Sequence, residues 1–129
     1  MKIYKEGEKV REIPENVNNA IKEFISGVNE ILGDRVKKII LYGSYARGDF
    51  NEKSDIDIMI LTDLYDDEID KYREKIYDLT SDIAWDNDFK IDLSPLIKNI
   101  DKFNYWLEGS PFYMNVQKEG VILSESKSF

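Results

Sequence analysis

The chain has 129 residues, 26 acidic and 18 basic, for a net charge of −8, with no histidine and no cysteine. So acidic a molecule repels phosphate backbones as a whole, which disfavours direct nucleic-acid binding. The commonest general base and zinc ligand are missing and no disulfide framework can form, so chemistry falls to carboxylates, hydroxyls, cations and a metal that prefers oxygen.

No apolar run approaches the ~20 residues that cross a bilayer, and the N-terminus lacks the apolar core and cleavage site of a signal peptide, so a cytoplasmic protein with no membrane contact is expected. Absence of repeats and linkers predicts one domain over residues 1–129. The first element is an amphipathic helix over residues 14–32, where Val17, Ala20, Ile21, Phe24, Ile25, Val28, Ile31 and Leu32 recur at helical spacing between Pro14 and Gly33. Val36–Tyr42 is β-branched and apolar apart from two lysines and stops at Gly43, which predicts a first strand.

A second strand is expected over residues 55–61, with Ile56, Ile58 and Ile60 on one face and Asp55, Asp57, Met59 and Leu61 on the other. Residues 66–85 read as a long helix whose acidic start complements its dipole, and Phe89, Lys90, Ile91, Asp92 and Leu93 read as a third strand. Ser94 with Pro95 reads as a helix start, and Ser110 with Pro111 as another; Gly120 then ends that helix before a short edge strand at residues 121–123. A short turn makes the first two strands antiparallel, and the long helix returns the third parallel to the second. The expected fold class is α+β, a small mixed sheet flanked by helices.

This topology gathers Gly43, Ser44, Asp55 and Asp57 at one end of the sheet, with Asp92 projecting from the same surface. Carboxylates that close repel one another unless a cation neutralises them, and all-oxygen sites suit Mg²⁺, which takes one or two carboxylates plus substrate phosphates. Gly43 permits close backbone approach, Ser44 offers a hydroxyl and nearby N–H groups to phosphate oxygens, and Arg47 could add a cation. Walker-type spacing is absent. Trp85, Trp106, Phe112 and Tyr113 are assigned to core packing or a partner surface rather than to a base platform.

Glycine-serine, ten residues, then aspartate-x-aspartate resembles the signature of the DNA polymerase beta-like nucleotidyltransferase superfamily. The missing large helical domain makes the chain most similar to the minimal nucleotidyltransferases, which include antitoxins paired with HEPN-domain ribonuclease toxins. The resemblance implies that Gly43 and Ser44 hold ATP phosphates, with Arg47 fitting the family's Ala-Arg-Gly element in a less defined role. It implies that Asp55 and Asp57 bind two Mg²⁺, and that Asp92 shares a metal and helps deprotonate the acceptor hydroxyl. The implied function is transfer of AMP from ATP to a hydroxyl, foremost a tyrosine of a HEPN-type toxin partner. The alternatives are a small-molecule acceptor such as an aminoglycoside, or an antitoxin that neutralises its partner by binding alone.

Overall fold

The computed structural model describes residues 12–126 and, ahead of them, the backbone of a short antiparallel pair, β1 (Tyr4–Lys5) and β2 (Glu8–Lys9). The two ends of the expected 1–129 unit lie outside the described residues. The following elements are α1 (Glu15–Leu32), β3 (Val36–Tyr42), α2 (Ser44–Arg47), β4 (Ile56–Thr62) and α3 (Asp66–Asp86). After them come β5 (Leu93–Asn99), α4 (Ile100–Trp106), α5 (Pro111–Glu119) and β6 (Val121–Glu125).

Four strands form one mixed sheet in the order β5-β4-β3-β6. As the chain order predicts, β3 and β4 are antiparallel, with Tyr42 opposite Asp57, and β5 runs parallel to β4, with Leu93 opposite Ile56. Strand β6 adds to the other edge antiparallel to β3.

Each face of the sheet is covered, because alternate residues of β3 and β4 are apolar on both sides. On one face Ile39, Leu41, Ile56, Ile58 and Ile60 pack with Ile21, Phe24 and Val28 of α1 and Ile69, Ile76 and Ile83 of α3. On the other, Ile40, Met59 and Leu61 meet Phe103 of α4 and Val116 of α5. Among the described residues no helix is long and apolar enough to cross a membrane.

The third strand begins later than the sequence pattern suggests. Residues 89–92 are not strand; Asp88 and Phe89 have positive φ and turn the chain after α3, and β5 starts at Leu93. Ser94 and Pro95 therefore lie inside β5 instead of starting a helix. Pro95 is tolerated because β5 is an edge strand, where a missing N–H costs no ladder bond. The helix start is displaced to Asn99, whose side chain accepts a hydrogen bond from the Lys102 N–H at 3.0 Å. By contrast Ser110 caps α5 as the sequence indicates, accepting from the Tyr113 N–H with Pro111 in the first turn.

Candidate functional site

Antiparallel pairing brings the end of β3 beside the start of β4, and the intervening loop is tied tightly. Gly43 leaves β3 at φ 75 and ψ −153 and Gly48 closes α2 in the left-handed region. Asn51 then organises the turn into β4: its carboxamide oxygen accepts from the Lys53 N–H at 2.8 Å and its own N–H donates to Ser54 Oγ at 2.9 Å. Tyr45 stacks on Phe50 beneath this loop, with centroids 4.3 Å apart.

Asp57 sits on the α4/α5 face of the sheet, and a side chain at position 43 would overlap its carboxylate. The N–H of Ile56 donates to the Asp92 carbonyl at 2.8 Å, which sets Asp92 abreast of Asp55. Asp92 thus reaches the acid pair from the turn just before β5 instead of from mid-strand. Gly43, Ser44, Asp55, Asp57 and Asp92 stand together at one end of the sheet.

The electrostatics are those of crowded carboxylates. Burial, then the charge of Asp55, push the Asp57 carboxyl above the ordinary range, and Arg47 partly offsets them. Partial withdrawal from water, a hydrogen bond with the Asp55 carboxyl and the charge of Asp55 raise Asp92 too, although much of its surface stays exposed. Burial and the Asp57 charge push the Tyr42 hydroxyl up to about 12, so it stays protonated. Among the described residues no three acids converge into a ready cation cage. The donor set fits Mg²⁺ nonetheless, since this ion binds through one or two carboxylates and leaves other positions to water and substrate phosphate.

Two hollows border the acid cluster, one lined by Asp57 and the other by Asp92. One, of about 490 Å³, is walled on one side by Gly43, Ser44, Arg47 and Asp57, and on the other by Phe112, Asn115 and Glu119 of α5. The second, of about 650 Å³, opens at Asp92 and is bordered by Tyr45, Lys53, Phe89 and Lys90. Arg47 enters the first hollow already paired, to Asp49 at 3.3 Å and to Glu119 at 3.4 Å.

The α5 wall was not readable as part of a site. Phe112, assigned from sequence to core or partner surface, lines the first hollow with 44% of its surface exposed, and Trp85 and Trp106 are exposed rather than packed in a core. Asn115 and Glu119 belong to no motif, and their spacing from Phe112 on one helix face was the sole sequence signal for them.

The model of the nucleotidyltransferase domain family matches residues 21–123. A Methanocaldococcus jannaschii protein named "Putative protein adenylyltransferase MJ0604" is 36% identical over 108 residues, which is 84% of this chain and 98% of that one. Another from the same organism, "Putative protein adenylyltransferase MJ1379", is 55% identical over 42 residues, 31% of this chain and 42% of that one. Among solved structures, a "toxin-antitoxin with AMP-PNP" superposes with a TM-score of 0.52 at 20% identity, covering 88% of this chain and 76% of that one. That likeness is one of fold.

Proposed function

The chain belongs to the nucleotidyltransferase family, and from that premise we propose that it transfers AMP from ATP, with Mg²⁺, to a hydroxyl of a partner protein. The observation that carries this reading is that the acid cluster borders two hollows, Asp57 lining one with Gly43 and Ser44 and Asp92 lining the other. A donor nucleotide in one and an acceptor in the other would then have separate approaches to the same carboxylates, as a displacement with distinct attacking and leaving groups requires.

Each residue has a role set by its place. Gly43 lets the Asp57 carboxylate lie against the turn, and the Ser44 hydroxyl with the first N–H groups of α2 faces the phosphate oxygens. Arg47 exchanges part of its pairing with Asp49 and Glu119 for phosphate. Asp55 and Asp57 would hold Mg²⁺, with Asp92 sharing one ion. Bound Mg²⁺ supplies neutralisation of the charge that builds on the attacking and leaving oxygens. Asp92, raised above an ordinary carboxylate, takes the acceptor proton as the hydroxyl oxygen bonds to the α-phosphorus and the bond to pyrophosphate breaks.

The acceptor we assign is a tyrosine of a HEPN-type toxin. Support comes from the relative named as a protein adenylyltransferase, similar over 98% of its length, and from the fold shared with a toxin-antitoxin structure. The test is to incubate a candidate HEPN-domain partner with the enzyme and Mg-ATP and measure its intact mass. An increment of AMP on tyrosine, lost in excess EDTA, is expected. An unmodified partner that is nevertheless neutralised would leave only binding, and transfer undiminished by EDTA would remove the metal from the reading.

A further inference from the structure

The first hollow is larger and more varied than a triphosphate needs. Its phosphate wall comes from β3, α2 and β4, but the facing wall is a single stripe of α5, where Phe112, Asn115 and Glu119 fall on one helix face. Phe112 is not a loose surface ring. It meets Tyr42 edge to face at 5.6 Å and 83°, and Tyr113 at 5.9 Å and 61°, while almost half of it stays exposed. Asn115, one turn along, is exposed, and among the described residues nothing holds its carboxamide.

The helix carrying these groups is firmly seated. Val116 is buried in the core beneath the sheet, Ser110 caps the first turn, and a side chain at Gly120 would overlap the Val116 carbonyl. Glu119 also clasps Arg47 across the hollow, so the two walls are linked by an ion pair.

We propose that Phe112, backed by Tyr42, and Asn115 form the nucleobase subsite, and that its preferred ligand is adenine. This deepens the proposed function and rests on it, because the phosphates must lie at Gly43 and Ser44 for the base to reach α5. An aromatic ring stacks on any base and so supplies affinity with little selectivity. The carboxamide supplies the selectivity. Adenine presents a donor beside an acceptor, N6 and N7, which one amide can pair bidentately, whereas guanine presents two acceptors there and leaves the amide oxygen unmatched. A half-exposed ring and an unheld amide facing a phosphate-binding turn across 490 Å³ match a nucleotide base better than a packing role.

The test is calorimetric titration with Mg-ATP, Mg-GTP and inorganic Mg-tripolyphosphate. It uses the wild type, Phe112→Ala, Phe112→Trp, Asn115→Ala and Ser44→Ala, each checked by thermal melting. The wild type should bind ATP at least about tenfold more tightly than tripolyphosphate, the affinity expected from one stacked base. Phe112→Ala should erase that difference while leaving tripolyphosphate binding unchanged, Phe112→Trp should keep it, and Asn115→Ala should remove the preference for ATP over GTP. If Phe112→Ala binds ATP as the wild type does while Ser44→Ala loses it, the base lies elsewhere and the subsite is wrong, with the function intact. If the wild type binds neither ATP nor tripolyphosphate, the proposed function falls and the subsite with it.

Discussion

Gly43 carries two constraints in one residue. Its backbone, at φ 75 and ψ −153, lies where a side chain is strongly disfavoured, and the space that a Cβ would take is filled by the Asp57 carboxylate. Gly43→Ala should therefore cost about 1–3 kcal/mol of stability from the backbone alone. It should also displace Asp57 and weaken Mg-ATP binding. A melt and a nucleotide titration on the same sample check both; a variant that melts and binds as the wild type does would mean that the turn relaxes without consequence.

Asp92 makes the opposite prediction. Its carboxyl and that of Asp57 titrate higher in the fold than in an unfolded chain, so the native state binds more protons between those values. Stability contributed by this cluster therefore falls as pH rises through the interval and is lowest, without metal, at neutral pH. Asp92→Asn removes one of the repelling charges. The metal-free variant should melt no lower than the wild type at neutral pH and should lose transfer while keeping Mg-ATP binding. A large drop in melting temperature would mark Asp92 as a structural residue.

At the scale of elements, the β5–α4 junction shows how a buried polar side chain can specify where a strand ends. Asn99 is 5% exposed; its Nδ2 donates to the Leu64 carbonyl at 2.8 Å, and its Oδ1 caps α4 through Lys102. Thr62 stands beside it as a second buried polar residue, its Oγ1 donating to the Lys98 carbonyl and accepting from the Leu64 N–H. Replacing Asn99 with Ala would leave the Leu64 carbonyl unpaired and α4 uncapped, at a cost of about 1–3 kcal/mol. Urea unfolding measures it. A change within experimental error would mean that water replaces both bonds.

For the whole molecule the decisive quantity is charge. A net −8 opposes a duplex, yet the second hollow gathers Lys53 and Lys90 at its rim. Two lysines make too few phosphate contacts to outweigh the overall field, since sequence-independent affinity grows with the number of phosphates neutralised. No tight binding to duplex DNA is expected at physiological salt in a fluorescence anisotropy titration. Tight binding with a steep salt slope would show that a local basic surface dominates over the net charge.

What the sequence determined by itself was local or short in range. Helix α1 followed from an uninterrupted 3.6-residue stripe, β3 and β4 from β-branched runs, the cap of α5 from adjacent serine and proline. The grouping of Gly43 and Ser44 with Asp55 and Asp57 followed from the short link between two strands, which leaves the chain little choice but to fold back. Only the tertiary structure decided the rest. The pattern of residues 89–93 alternates as a strand does, but parallel pairing with β4 begins the ladder at Leu93, and an edge position lets Pro95 stay within it. Arg47 acquires a partner 72 positions away in Glu119, and Phe112 and Asn115 share a hollow with Gly43 and Ser44 because α5 packs back on the sheet between β5 and β6. Such contacts have no local signature, because they depend on which elements share a face and on the free energy of closing long loops between them.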